Sequence, residues 1–167
     1  RKRKIKQIQT QVKRLDSVQP DEVNNAIQEL RQIGASAVPI LVEALEHDSV
    51  QLRSNSARAL PVLGASSYQA IPALIQALSD KQASVRQQAA FSLGLIGALT
   101  NIQSSNTNDT LVQQMLPALV STLDDESIAV RSNAASALGM LGEIAVDAVP
   151  VLVEALDSPD SNFRADI

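Results

Sequence analysis

The chain repeats itself, and the repeat constrains it more than any other feature. Counted from Leu45, Leu78, Leu123 and Leu156, a proline lies six positions before each leucine (Pro39, Pro72, Pro117, Pro150) and an arginine eight positions after it (Arg53, Arg86, Arg131, Arg164). A glycine stands nineteen positions after the first three (Gly64, Gly97, Gly142), and Leu15 keeps the same distance to Gly34. The step is 33 residues, lengthened by twelve between Leu78 and Leu123. A period in this range belongs to solenoids, whose units are each too small to bury their own apolar face and lean on a neighbour. Such a stack offers a long surface rather than a pocket, so the pattern points towards binding.

Five copies are expected, at residues 5–34, 37–64, 70–97, 113–142 and 146–167. The second shows the design. Ala37 to Leu45 is apolar almost all round, and Pro39 suits a first helical turn, where its missing N–H is not needed. Glu46-His47-Asp48-Ser49 reads as a polar turn with N-cap chemistry. Val50 to Leu63 then spaces its apolar residues at three and four, as an amphipathic helix does. Gly64 stands where a left-handed residue ends a helix. Pro61, inside this second helix where later copies have Gly94 and Gly139, should kink it or remove one hydrogen bond. The fold class expected is all-α, a right-handed α-α superhelix of about five helical hairpins. The last hairpin is cut off inside its second helix, so the natural protein is expected to continue beyond Ile167. The first copy has Val23 in place of the arginine, read as an end cap with no earlier repeat to serve. Residues 99–112 are a polar insertion between repeats, expected to lack regular structure.

Composition narrows the function classes. Aromatics are 2% of residues and cysteine is absent, which leaves an aliphatic core and excludes disulfides and thiolate metal sites. A reducing, cytoplasmic location is expected, and no apolar run approaches a membrane span. Residues 1–14 hold seven of the 14 basic residues; the remainder has seven basic against 18 acidic, a net of −11. An acidic body is a poor partner for nucleic acid, whereas the basic N-terminal segment can touch an anionic surface.

The segments Val85-Arg86-Gln87-Gln88-Ala89-Ala90-Phe91-Ser92-Leu93-Gly94-Leu95-Ile96-Gly97 and Val130-Arg131-Ser132-Asn133-Ala134-Ala135-Ser136-Ala137-Leu138-Gly139-Met140-Leu141-Gly142 carry a resemblance. With the preceding proline and an aspartate-containing turn, they resemble the HEAT-repeat superfamily, in the HEAT-like branch associated with phycobilisome lyases. The resemblance implies a structural ladder between neighbouring repeats, formed here by Asp48, Asp80, Asp125 and Asp157 with Arg53, Arg86, Arg131 and Arg164. It also implies that second helices line the concave face. Positions −1, +3, +7 and +10 from each arginine share a helix face and should be core. Positions +2, +5 and +9 then face a partner: Asn55, Arg58, Val62, Gln88, Phe91, Leu95, Asn133, Ser136 and Met140.

Catalysis is not expected. His47 is the only histidine, the glycines fit helix ends or packing points, and no nucleophile–base constellation is formed. Iron-binding relatives of this architecture use repeated His-Glu pairs, whereas only Glu46-His47 stands here, in reverse order. No catalytic, cofactor or metal residues are therefore assigned. The reading is a non-catalytic scaffold or adaptor that binds a protein or peptide on its concave face. The alternative implied by the resemblance is a bilin lyase, or a phycobilisome-associated factor that attaches or detaches chromophores.

Overall fold

The computed structural model describes residues 2–103 and 110–142, with Ala145, Pro150 and Val153. The fifth copy, apart from Pro150 and Val153, lies outside the described residues, and so do Asp157 and Arg164. Eight α-helices are described: α1 (Lys2–Arg14), α2 (Pro20–Ile33), α3 (Val38–Ala44), α4 (Val50–Ala59), α5 (Ile71–Ala77), α6 (Ala83–Gln103), α7 (Thr110–Thr122) and α8 (Ile128–Leu141). They pair in sequence as hairpins, and the hairpins stack into two layers. Helices α1, α3, α5 and α7 form one layer and α2, α4, α6 and α8 the other. The result is an all-α solenoid, with no strand among the described residues.

The two periodicities of the sequence place the core. All twelve inward positions are buried: Leu52, Ser56, Leu60, Leu63; Val85, Ala89, Leu93, Ile96; Val130, Ala134, Leu138, Leu141. Alanine at Ala57, Ala90 and Ala137 lets helices of successive repeats approach closely, which an aliphatic core without large rings requires. Ser92 ties two repeats within that core, its hydroxyl donating to the Ala57 carbonyl at 2.8 Å.

Local chemistry sets the helix ends. Pro39 and Pro72 stand in the first turns of α3 and α5, as does Pro20 in α2, where Asp21 and Glu22 also face the helix dipole. Pro61 resolves in a definite way: the α-helix stops at Ala59 and a 3-10 segment, Leu60–Ala70, carries the chain to α5. Gly34, Gly64 and Gly142 have φ of 72°, 65° and 58°, so glycine is needed there. Their ψ values lie near −140° rather than near +50°, so these are not the left-handed caps expected.

Three expectations are corrected. Gly97 does not end the third copy; α6 runs on to Gln103, because Gly97 is needed for close packing rather than for a turn. The insertion at 99–112 is helical on both flanks, through Gln103 and again from Thr110. Because α7 begins at Thr110, Pro117 stands inside that helix rather than in its first turn. Residues 104–109 lie outside the described residues. The basic N-terminal segment is the first helix of the first hairpin, with Ile8 and Val12 buried against the stack. Among the described residues no helix is long and apolar enough to cross a membrane.

Candidate functional site

Two sets of residues were singled out by the sequence, and the fold separates them. The ladder arginines point along the edge where each hairpin turns. Arg53 is 5% exposed and Arg86 7%, so each charge needs a partner. Arg53 makes a forked contact with Asp80 of the next repeat, Nε to Oδ2 at 2.7 Å and Nη2 to Oδ1 at 3.1 Å. Arg86 does the same with Asp125, at 2.7 and 2.9 Å, and its Nη2 also donates to Glu126 at 3.2 Å. The remaining nitrogen, Nη1, clamps the arginine's own turn. It donates to the carbonyl six residues earlier in every case: His47 for Arg53 (2.8 Å), Asp80 for Arg86 (2.9 Å) and Asp125 for Arg131 (3.0 Å). The guanidinium groups of Arg53 and Arg86 thus each join two turns with a planar fork, which lysine would not do.

This geometry corrects the assignment of Asp48. The acceptor slot lies two residues after each anchoring leucine, where the side chain also accepts the N–H two residues on. Ser17 accepts from Gln19 (3.1 Å), His47 Nδ1 from Ser49 (3.1 Å), Asp80 from Gln82 (2.8 Å) and Asp125 from Ser127 (2.8 Å). In the second repeat the slot therefore belongs to His47. Asp48 is exposed, and among the described residues no guanidinium reaches its carboxylate. The arginine reaches forward to the following repeat, so the reading of Val23 as lacking an earlier partner is reversed. A first-repeat arginine would have met the His47 slot. Neither half of that rung is present here, with Val23 at the arginine position and His47 at the acceptor slot, and Ser49 instead donates to Asp16. Leucine register, rather than residue type, was the signal that could have found this.

Burial pushes the Asp80 carboxyl up, but the Arg53 hydrogen bond, the Gln82 N–H and the charges of Arg53 and Lys81 together hold it below its usual value. Asp125 is balanced the same way, with Arg86, the Ser127 N–H and Arg131 outweighing burial. Arg86 is raised, chiefly by the Asp125 hydrogen bond. A carboxyl depressed in the folded state stabilises the fold above its unfolded-state value of about 4, and that stability is lost as pH falls through the folded value. The melting temperature is therefore expected to hold from about pH 5 to 7 and to fall below about pH 4. The fall should be shallower in Asp80→Asn. Thermal melts across acid pH check this, and identical slopes for the two proteins would refute it.

The second set lies on α4, the segment after it, and on α6 and α8. Ser136 is exposed, and Asn55, Arg58, Val62, Gln88, Phe91, Leu95, Asn133 and Met140 are half-buried. Several are engaged within the fold. Asn55 Nδ2 donates to the Leu15 carbonyl at 2.8 Å, Arg58 Nη2 to Asn24 Oδ1 at 3.0 Å, and Asn133 Nδ2 to the Ala129 carbonyl at 2.7 Å. Val62 packs against the core. Phe91 and Leu95 follow each other at one turn of α6, and Met140 on α8 lies over Gly94 between them, its sulfur 3.2 Å from where a Cβ on that glycine would sit. Phe91, Leu95 and Met140 are thus half-buried apolar residues on the neighbouring helices α6 and α8, with Gln88 one turn before Phe91. Among the described residues no group of three or more His, Asp or Glu side chains converges.

With this geometry in hand, the chain can be set against known proteins. The family model described as HEAT repeats matches residues 38–104 and 71–167. The chain belongs to the HEAT-repeat family. Its HEAT repeats are similar to a chain in the complex of CpcE and CpcF of phycocyanin lyase from Nostoc sp. PCC7120. That likeness is 25% identical, covers 97% of this chain and 96% of the other, and has a TM-score of 0.83. A designed armadillo repeat protein is 23% identical over 94% of this chain and 77% of its own, with a TM-score of 0.59. A second designed armadillo repeat protein, in complex with the peptide (KR)4, is 20% identical over 93% and 77%, with a TM-score of 0.60. The designed proteins share the fold. Among curated proteins, no sequence matches this HEAT-repeat chain.

Proposed function

We propose that this chain is a non-catalytic protein-binding scaffold whose partner lies along the face formed by α4, α6 and α8. The observation that carries it is that Phe91 and Leu95 on α6 and Met140 on α8 are apolar yet only half-buried, in two repeats whose inward positions are already filled. A few apolar anchors among amides and hydroxyls are what a helix or extended peptide needs to dock. The acidic body favours a basic or amphipathic partner, and the lack of cysteine suits the cytoplasm. Replacing Phe91 by alanine is expected to weaken retention of a partner captured from the native source by about tenfold or more. The melting temperature should fall by no more than about 4 °C. Undiminished retention, or a much larger thermal loss, would place Phe91 in the core and remove the proposal.

The likeness to a chain of the phycocyanin lyase complex favours a second reading, a bilin lyase subunit or a phycobilisome-associated factor. In that reading Arg58 pairs a propionate and Phe91 stacks on the pigment. Mixing the protein with phycocyanobilin discriminates the two: a shifted absorption band supports the lyase reading, and an unchanged spectrum removes it.

A further inference from the structure

The layer opposite that face holds a second candidate. Between α1 and α3 lies an open cleft of about 500 Å³. Its floor is apolar, with Val12, Ala44 and Leu52 buried and Ile40 half-buried. Lys6 and Lys13 rim it on the α1 side, two turns apart on one helix face, while Glu43 stands on the α3 side. Helix α1 has no acidic residue, and its Lys2, Arg3, Lys4, Lys6 and Lys13 are all exposed. None of these five forms an ion pair among the described residues; on this helix only Arg14 does, with Glu22 at 3.6 Å. Such crowding works against the helix, since like charges one turn apart repel by a few tenths of a kcal/mol per pair. A bound carboxylate reverses that sign.

We infer that this cleft is a second docking site, and that its occupant is an acidic amphipathic helix of a partner protein. Charge complementarity selects an anionic occupant, because the cations on α1 are not used by the fold. The recessed apolar floor selects a helix with an aliphatic stripe over a phosphate chain, which would satisfy the lysines and leave the floor empty. A bilayer is disfavoured for a related reason. The apolar side of α1 is turned into the stack, with Ile8 1% and Val12 7% exposed, so only Ile5 at 41% is left to insert. The site does not depend on the face proposed above.

A fluorescent peptide of about 18 residues, with leucines at helical spacing flanked by glutamates, tests it by anisotropy. A peptide of the same composition in scrambled order is the control. The wild-type protein is expected to bind the patterned peptide, and Lys6→Glu/Lys13→Glu to bind it at least about tenfold more weakly. Lys6→Gln/Lys13→Gln should lie between them. Both lysines are exposed, so the circular dichroism spectra should coincide, and Phe91→Ala should bind as the wild type does. The inference is overturned if the wild type does not bind, if the charge variants bind equally well, or if the scrambled peptide binds as tightly. It is also overturned if the protein sediments with phosphatidylserine vesicles at the same salt concentration.

Discussion

Asp80→Ala is expected to lower the melting temperature by about 10 °C or more. The reason is what it leaves behind. Arg53 is buried, its Nη1 is held by the carbonyls of His47 at 2.8 Å and Asp48 at 2.9 Å, and it cannot swing out to water without undoing its own turn. Removing the carboxylate strands that charge, and breaking a buried pair by one partner costs about 3–5 kcal/mol. In a chain of this size each kcal/mol shifts the midpoint by about 2–4 °C. Asp80→Asn keeps an acceptor for the Gln82 N–H and should lose less. The decisive comparison is Arg53→Met/Asp80→Leu, which removes the pair and its desolvation cost together and should recover most of the loss. Equal losses in the single and double variants would show that the ladder stabilises by direct attraction instead.

The repeat was legible because its anchors stand at fixed offsets, and those offsets are physical: a leucine to the core, a proline to a first turn, an arginine to the edge. The twelve inward positions followed from one count along the chain. Legibility ended where one residue type serves two needs. Gly34, Gly64 and Gly142 are required by a positive φ, but Gly97, at the same offset, is required because it has no side chain. The positions of Leu141 and Met115 on other helices distinguish them. Asp48 attracted the ladder assignment by its charge, although the register gave the slot to His47. The polar stretch after Gly97 suggested an end to helix, yet it contains no proline or glycine to stop one, and α6 continues to Gln103. On the candidate face, spacing placed Phe91, Leu95 and Met140 together. It gave no sign that Asn55, Arg58 and Asn133 would be engaged within the fold.

Gly94→Ala is expected to destabilise the protein by about 2 kcal/mol, with the melting temperature lowered by about 4–8 °C. Taken alone, α6 would gain from the change, since alanine is better than glycine in a helix interior by about 1 kcal/mol. Packing decides otherwise. A Cβ on Gly94 would sit 2.6 Å from the Cα and 2.8 Å from the Cβ of Ala137 on α8, and backbone cannot rotate aside as a side-chain tip can. The two helices must separate, and α6 with α8 is the most extensive helix contact among the described residues. Overpacking a close interface costs about 1–3 kcal/mol and sometimes more, which exceeds the propensity gain. Gly94→Ala/Ala137→Gly should recover only part of the loss, because it removes the Cβ contact and leaves the tighter one to Cα. A variant as stable as the wild type would mean that α6 and α8 yield without cost. The same separation would shift Met140 of α8 relative to α6, so partner retention should weaken along with stability, whereas Phe91→Ala weakens retention and lowers the melting temperature by no more than about 4 °C.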